Sequence, residues 1–196
     1  MKILGIDLAG SEKRKTGICI LNKKLIAQCQ IIFSNGEIFD LIKKENPSLI
    51  AIDAPLGLPF GRKSLEKKSP FHFRKADLEL FKMKIKFFPI TLGPMRMLTK
   101  RGIFLKEKLK KKYRVIEVYP GATQDILGLP RKQKGEKKLL NAIKKLGIKI
   151  SQKNLTADEL DAICCALTGY LFLKKKTISL GNKKEGQIIV PQYGLF

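Results

Sequence analysis

Four acidic residues lie at the ends of apolar segments or inside them, where a charge is unusual. Asp7 follows the apolar residues 3–6, and Asp53 follows the apolar residues 49–52. Glu117 lies within the segment Val-Ile-Glu-Val, and Asp161 directly precedes residues 162–173, which carry no charge. A buried carboxylate is costly unless it is paired or binds a cation, and Mg²⁺ and Mn²⁺ prefer oxygen ligands. If these side chains converge, they predict a site for one of these ions.

Each of these residues also has a structural interpretation. An Asp at the end of a strand often accepts hydrogen bonds from the amides of its own turn, which would account for Asp7 or Asp53 taken singly. Glu117 could point to solvent from the polar face of an edge strand. The residue types alone leave both interpretations open.

The helix predicted over residues 157–173 adds a further candidate. Thr156 and Glu159 have the spacing of a capping box, which accounts for Glu159. Asp158 favours the positive end of the helix dipole and lies three residues before Asp161, so the two share a helix face. Asp158 is therefore a candidate metal ligand together with Asp7, Asp53 and Asp161.

The charge of the chain indicates a polyanionic partner. Of the 196 residues, 40 are Lys or Arg and 17 are Asp or Glu, which gives a formal net charge of +23. A Lys-rich composition without a binding role is the alternative. No apolar run reaches the ~18–20 residues of a membrane span. No long amphipathic helix with Trp or Phe on one face is evident either, so nucleic acid is favoured over anionic lipid. The candidate nucleic-acid-binding residues are Arg62, Lys63, Arg74, Arg96, Lys100, Arg101, Lys110, Lys111 and Lys112.

Other common catalytic and metal-binding arrangements are disfavoured. The four cysteines lack zinc-site spacing and are expected to be reduced. The only histidine, His72, has no evident partner for nucleophilic catalysis. The N-terminal apolar stretch is interrupted by a charge and shows no cleavage site, so a cytoplasmic location is expected.

The order of the predicted elements describes an α/β protein. Apolar segments at residues 3–8, 16–21 and 25–33 predict an antiparallel meander, followed by a helix to residue 46 and a strand at residues 49–52. Strands at residues 115–119 and 188–190 and the helix at residues 157–173 come later. We expect one domain over residues 1–196, with a mixed five-stranded central sheet flanked by helices. Residues 56–112 predict a basic, mostly helical insertion within it.

This order resembles the ribonuclease H-like fold of ribonucleases H, Holliday-junction resolvases and integrases. The motifs Gly5-Ile6-Asp7, Asp53-Ala-Pro-Leu-Gly-Leu-Pro, Glu117-Val-Tyr-Pro and Glu-Leu-Asp161-Ala are similar to those of the family called domain of unknown function 429, whose members are predicted nucleases. The resemblance implies Mg²⁺ or Mn²⁺ held by Asp7, Asp53 and Asp161, with Glu117 as a fourth ligand. It also implies that Arg74 or Arg96 binds a phosphate.

The leading hypothesis is a nuclease that cuts phosphodiester bonds by a two-metal mechanism, with Asp7, Asp53, Glu117 and Asp161 as its catalytic residues. The alternative is a nucleic-acid-binding protein of the same fold without cleavage activity. Residues 5–11 also resemble the first phosphate loop of sugar-kinase and actin-type ATPases, but those enzymes bind ATP between two such domains and this chain is long enough for one.

Overall fold

The computed structural model describes residues 1–195, and within them eight strands form one mixed sheet. Its order is β6-β3-β2-β1-β4-β5-β8-β7. The strands are β1 (Lys2–Asp7), β2 (Thr16–Asn22), β3 (Ile26–Ile32), β4 (Leu49–Asp53), β5 (Val115–Val118), β6 (Lys149–Ile150), β7 (Thr177–Asn182) and β8 (Gly186–Pro191). The meander β1-β2-β3 is antiparallel, whereas β4, β5 and β8 continue from β1 in parallel.

The α/β class and the five predicted central strands are confirmed, but the sheet is wider than predicted. Strand β6 pairs with β3 through only two residues, and β7 pairs with β8 as an antiparallel hairpin. A two-residue strand has no periodicity that a sequence pattern can detect. The sheet therefore extends beyond the predicted strands on both edges.

Six helices and a short 3-10 helix are found in the described part of the chain. They are α1 (Asn35–Glu45), α2 (Lys75–Lys82), α3 (Gly93–Leu109), α4 (Pro120–Ile126), the 3-10 helix (Lys132–Lys134), α5 (Glu136–Lys145) and α6 (Ala157–Leu173). The predicted capping box at the start of α6 is present, because Thr156 and Glu159 bond to each other's backbone amides. None of these helices is long and apolar enough to span a membrane.

Both faces of the sheet are covered, as the continuous apolar strands require. On one face, Ile3 of β1 belongs to a core with Ile163 of α6 and Ile143 of α5. On the other face, Leu4 packs in a core with Ile38 of α1 and Leu105 of α3. Because α3 belongs to the predicted insertion, the second half of the insertion contributes directly to the core.

Two glycines bring the first turns of α6 unusually close to the sheet. A Cβ atom at Gly5 would overlap the carbonyl oxygen of Ala162, and one at Gly17 would overlap that of Asp158. Gly17 is the antiparallel partner of Asp7. The missing side chains therefore let the acidic start of α6 lie beside the end of β1.

Candidate active site

Asp7 and Asp53 are the last residues of the two neighbouring parallel strands β1 and β4. They are direct register partners, so their side chains lie next to each other. Burial, together with the charge of Asp161, raises the pKa of Asp7 from 3.8 to about 7. Burial and the charges of Asp7 and Asp161 also raise the pKa of Asp53 well above its ordinary value. Because the two carboxyl groups are neighbours at the ends of β1 and β4, ionisation of one disfavours ionisation of the other.

Asp161 joins this pair from α6. One of its carboxylate oxygens accepts a hydrogen bond of 2.7 Å from the side-chain amide of Gln124, and the other lies 2.6 Å from the ammonium group of Lys132. Asp161 is buried, and its charge acts on both Asp7 and Asp53. We call Asp7, Asp53 and Asp161 the carboxylate cluster. Asp7 and Asp53 meet at one end of the sheet, and Asp161 acts on both of them from α6.

Asp158 lies at the edge of the cluster. Its charge raises the pKa of Asp7 and also acts on Lys132. It is less buried than Asp161, because it lies in the first turn of α6. Asp158 is therefore close enough to influence the cluster electrostatically without being part of its buried centre.

Glu117 lies next to the cluster, but both of its carboxylate oxygens already have hydrogen-bond partners. Both of its oxygens bond to the guanidinium group of Arg74 at 2.7 Å, and one also accepts the backbone amide of Leu56 at 2.8 Å. Glu117 is the register partner of Ile52, so it lies one strand away from Asp53. Its observed role is to hold Arg74 and the chain that follows Asp53.

Arg74 does not lie where a phosphate could reach it, contrary to the role that the resemblance implied. Only 1% of the residue is exposed, and its guanidinium group is shared between Glu117 and Asp77. Because a buried carboxylate needs a compensating partner, Arg74 neutralises two of them. We therefore remove Arg74 from the candidate nucleic-acid contacts.

Arg101 is likewise removed from that set. It is buried, and it donates hydrogen bonds to the backbone carbonyls of Ala9 and Phe33 and to the side chain of Asn35. The guanidinium group thus joins the loop after β1 to the start of α1. The sequence showed Arg101 within a basic run, which predicted a surface position that the fold does not give it.

The remaining candidates fall into two groups. Arg62 donates to backbone carbonyls of its own loop, and Arg96 contacts the carbonyl of Leu65 and the carboxylate of Glu66. These two arginines line an open cleft of about 580 Å³, the basic cleft, to which Lys67 and Lys68 also contribute. The candidates with exposed side chains are Lys63, Lys100, Lys110, Lys111 and Lys112.

Lys132 is the principal residue of the site that the sequence did not single out. It lies in the 3-10 helix between α4 and α5, and its ammonium group faces Asp161, Asp7 and Asp158. Those carboxylates raise its pKa above the ordinary value despite partial burial. One lysine among 40 basic residues carries no local signal, so only the fold could identify it.

The donor atoms of the carboxylate cluster suit Mg²⁺ or Mn²⁺, because both ions prefer carboxylate oxygens. Within residues 1–195, however, no three His, Cys, Asp or Glu side chains form an arrangement ready to hold a metal ion. The ammonium group of Lys132 also already neutralises Asp161. A divalent cation would therefore have to displace Lys132 from Asp161.

A second cavity, of about 250 Å³, adjoins the carboxylate cluster. Asp53, Asp161 and Lys132 contribute to its lining, together with Tyr119 and apolar side chains of residues 80–98. We call it the adjoining cavity. The adjoining cavity extends from the carboxylate cluster to residues 80–98 of the insertion. The sequence had indicated only a basic surface for this insertion.

Comparison with solved structures identifies the fold as ribonuclease H-like, as predicted. The chain is similar to RuvC from Thermus thermophilus in complex with Holliday junction substrate, with a TM-score of 0.51 and 12% identity. A second Thermus thermophilus RuvC structure gives a TM-score of 0.50 and 10% identity. Each similarity covers 89% of this chain and 96% of the other.

Comparison of the sequence with known proteins does not assign the chain to a family. No protein-family model matches the chain, and no curated protein matches it. The resemblance to domain of unknown function 429 therefore stays a prediction.

Proposed function

We propose that this protein is a nuclease that hydrolyses phosphodiester bonds of nucleic acid with the help of Mg²⁺ or Mn²⁺. The observation that carries the proposal is the meeting of Asp7, Asp53 and Asp161 at the ends of β1 and β4 and the start of α6. Three carboxylates drawn together in a partly buried place repel one another, and they require a cation to remain ionised.

The chemistry of such a site follows from its residues. Asp7, Asp53 and Asp161 would hold the divalent cation, which supplies activation of a water and stabilisation of charge on the phosphate. Asp158 adds negative charge at the edge of the site. Lys132, once released from Asp161, is a cation within the same cavity that can pair with a phosphate oxygen.

Glu117 has a positioning role in this proposal. It accepts the amide of Leu56, three residues after Asp53, and its other bonds go to Arg74. This contact holds the chain that leaves β4 directly after Asp53. The earlier assignment of Glu117 as a metal ligand would require it to give up Arg74, which would then be buried without that partner.

Nucleic acid is the substrate class that the charge favours. The net charge is +23, and the basic cleft and the exposed lysines of the insertion offer contacts to a phosphate backbone. The similar RuvC structure holds a Holliday junction substrate, which supports nucleic acid in general as the ligand here. Contacts of lysine with phosphate carry no information about sequence.

The second candidate function is nucleic-acid binding without cleavage. It is favoured by the 2.6 Å ion pair of Lys132 with Asp161, which satisfies one carboxylate of the cluster without a metal. In that case Lys132 would remain in place permanently. The two functions differ in whether a divalent cation binds the cluster at all.

A cleavage assay on mixed DNA and RNA separates the two functions. The assay compares Mg²⁺, Mn²⁺ and chelator for the wild type, for Asp53→Asn and for Asp40→Asn. Asp40 is an exposed acid on α1 and serves as the matched control. We expect metal-dependent cleavage by the wild type and by Asp40→Asn, and none by Asp53→Asn. Equal cleavage by all three proteins, or cleavage in chelator, would contradict the proposal.

A further inference from the structure

The adjoining cavity is lined by charged side chains in one part and by apolar side chains in another. Its charged part includes Asp53, Asp161 and Lys132, together with Arg74, Asp77, Glu117 and Arg131. Its apolar part includes Val118, Tyr119 and Ile188 from the sheet region and, from the insertion, Leu80, Phe87, Phe88, Ile90, Met95 and Leu98. A ligand that fits both parts needs an apolar face and also a charged or polar portion.

Phe88 is the most informative residue of this lining. Its exposed fraction is 71%, although it lies between the buried side chains of Ile85 and Ile90. A large apolar side chain that is exposed at a cavity needs an explanation, because burial would be favourable by about 1.5–3 kcal/mol. Phe88 therefore presents an aromatic ring to solvent where the cavity opens.

The two residues before Phe88 are each held by a contact with another part of the chain. The hydroxyl group of Tyr119 donates a hydrogen bond of 2.6 Å to the carbonyl of Lys86. The ring of Phe87 packs edge-to-face against Phe73, with the ring centroids 6.2 Å apart. These contacts position the backbone that leads into Phe88, whose ring is exposed at the cavity.

We propose that the adjoining cavity receives an unpaired nucleobase of a nucleic-acid strand, which stacks on Phe88. This proposal rests on the proposed function and specifies its substrate as single-stranded or locally unpaired nucleic acid. A nucleobase has an apolar face for Phe88 and polar edges for the charged part of the cavity. The basic cleft and the lysines of the insertion attract the phosphates on either side of it. Bases inside an intact duplex are stacked and cannot enter such a cavity.

Binding of labelled strands in chelator tests the proposal without any need for cleavage. The probes are a thymidine oligonucleotide and an abasic strand with the same number of phosphates, each followed by fluorescence anisotropy. Stacking on one aromatic side chain corresponds to a factor of about 5 to 140 in affinity. We expect the wild type to bind the thymidine strand more tightly than the abasic strand by a factor in this range.

Phe81 provides the matched control for Phe88. It is also a phenylalanine of the insertion, with an exposed fraction of 74%, and it does not contribute to the cavity lining. We expect Phe88→Ala to reduce the preference for the thymidine strand to nearly none, while Phe81→Ala retains it. Both changes remove exposed rings, so both variants should melt close to the wild type.

Three outcomes would overturn the proposal. The first is equal binding of the thymidine and abasic strands by the wild type. The second is the same loss of preference in Phe81→Ala as in Phe88→Ala. The third is that thymidine monophosphate binds as tightly as the strand, which would assign the cavity to a free nucleotide.

The failures of the two proposals can be told apart. A wild type that prefers the thymidine strand but cleaves nothing in Mg²⁺ or Mn²⁺ contradicts the nuclease and supports the nucleobase cavity. A wild type that cleaves but binds both strands equally contradicts the cavity alone.

Discussion

The ammonium group of Lys132 lies 2.6 Å from a carboxylate oxygen of Asp161, one of the three acids that we propose hold a divalent cation. Asp161 is contributed by α6, and Lys132 by the short 3-10 helix that precedes α5. Through this contact, a basic segment of the chain lies against the carboxylate cluster and offsets part of its negative charge. Under the proposed function, Lys132 would compete with the metal ion for Asp161.

Removing this competitor should strengthen the response to metal. Lys132→Ala leaves Asp161 facing Asp7 and Asp53 without a counter-ion, so we expect a loss of about 1–3 kcal/mol of stability in chelator. We also expect half-saturation at a lower Mg²⁺ or Mn²⁺ concentration. Thermal melting during metal titration measures both effects. Lys134→Ala, an exposed change in the same 3-10 helix, should change neither. A weaker metal response in Lys132→Ala would show that Lys132 does not compete with the metal.

The stability of the metal-free protein should fall as the pH rises. The pKa of Asp7 is about 7 in the folded protein and 3.8 without the fold. Between these values the folded state retains a proton that the unfolded state has lost, so the free energy of unfolding increases as the pH falls from about 7 towards 4. Urea unfolding in chelator from pH 8 to pH 5 measures this. Asp7→Asn should flatten the dependence and raise stability at pH 8 by about 1–3 kcal/mol. A wild-type profile that rises towards pH 8 would contradict the assignment.

Metal ions should stabilise the wild type through Asp7. A cation that binds only the folded state adds about 2.7 kcal/mol at ~100 times its dissociation constant. For a chain of this size, that corresponds to a rise in melting temperature of roughly 5–10 °C. Asp7→Asn should show little of this rise and should lose cleavage. Melting curves in chelator and in Mg²⁺ or Mn²⁺ measure the difference. If neither ion shifts the wild-type melting temperature, or if Asp7→Asn cleaves at the wild-type rate, Asp7 is not a metal ligand.

Arg74 should be required for folding and not for phosphate binding. Arg74→Met leaves Glu117 and Asp77 buried without their cation, which costs about 3–5 kcal/mol. Urea unfolding measures this loss. Arg62→Met, in the more open loop, should cost much less, because Arg62 bonds only to backbone carbonyls that remain near solvent. An Arg74→Met protein with wild-type stability and weakened nucleic-acid binding would restore Arg74 as a phosphate contact.

The lysine run after α3 should contribute to nucleic-acid binding through charge alone. Each phosphate contact contributes about −0.9 to the slope of log affinity against log salt on duplex DNA. Changing Lys110, Lys111 and Lys112 to Ala should make that slope shallower by up to about 3. Binding titrations at several salt concentrations measure the slope. The exposed run of residues 174–176, which follows α6, provides a matched triple control that should leave the slope nearly unchanged. Equal slopes for the wild type and the Lys110–Lys112 variant would show that this run is only a solvated surface.

The central part of the fold could be predicted because its signals are local. Asp7 and Asp53 each end a short apolar run, and parallel strands that end together bring their last residues together. Thr156 and Glu159 form the predicted capping box, because the three-residue spacing of such a box is fixed by helix geometry. The close packing of α6 at Gly17 was not predicted, since a glycine does not reveal which element approaches it.

The sequence by itself determined which acids lie at the ends of buried elements, because apolar periodicity and element ends depend on neighbours along the chain. Only the tertiary structure decided what each charge does. Glu117 and Arg74 are 43 residues apart, and Gln124 and Asp161 are 37 apart. In the sequence, Arg101 and Lys132 resemble the other basic residues, yet one is buried among carbonyls and the other faces the carboxylate cluster. The partner of a charge is set by which elements pack together, and at these separations no local pattern specifies that pairing.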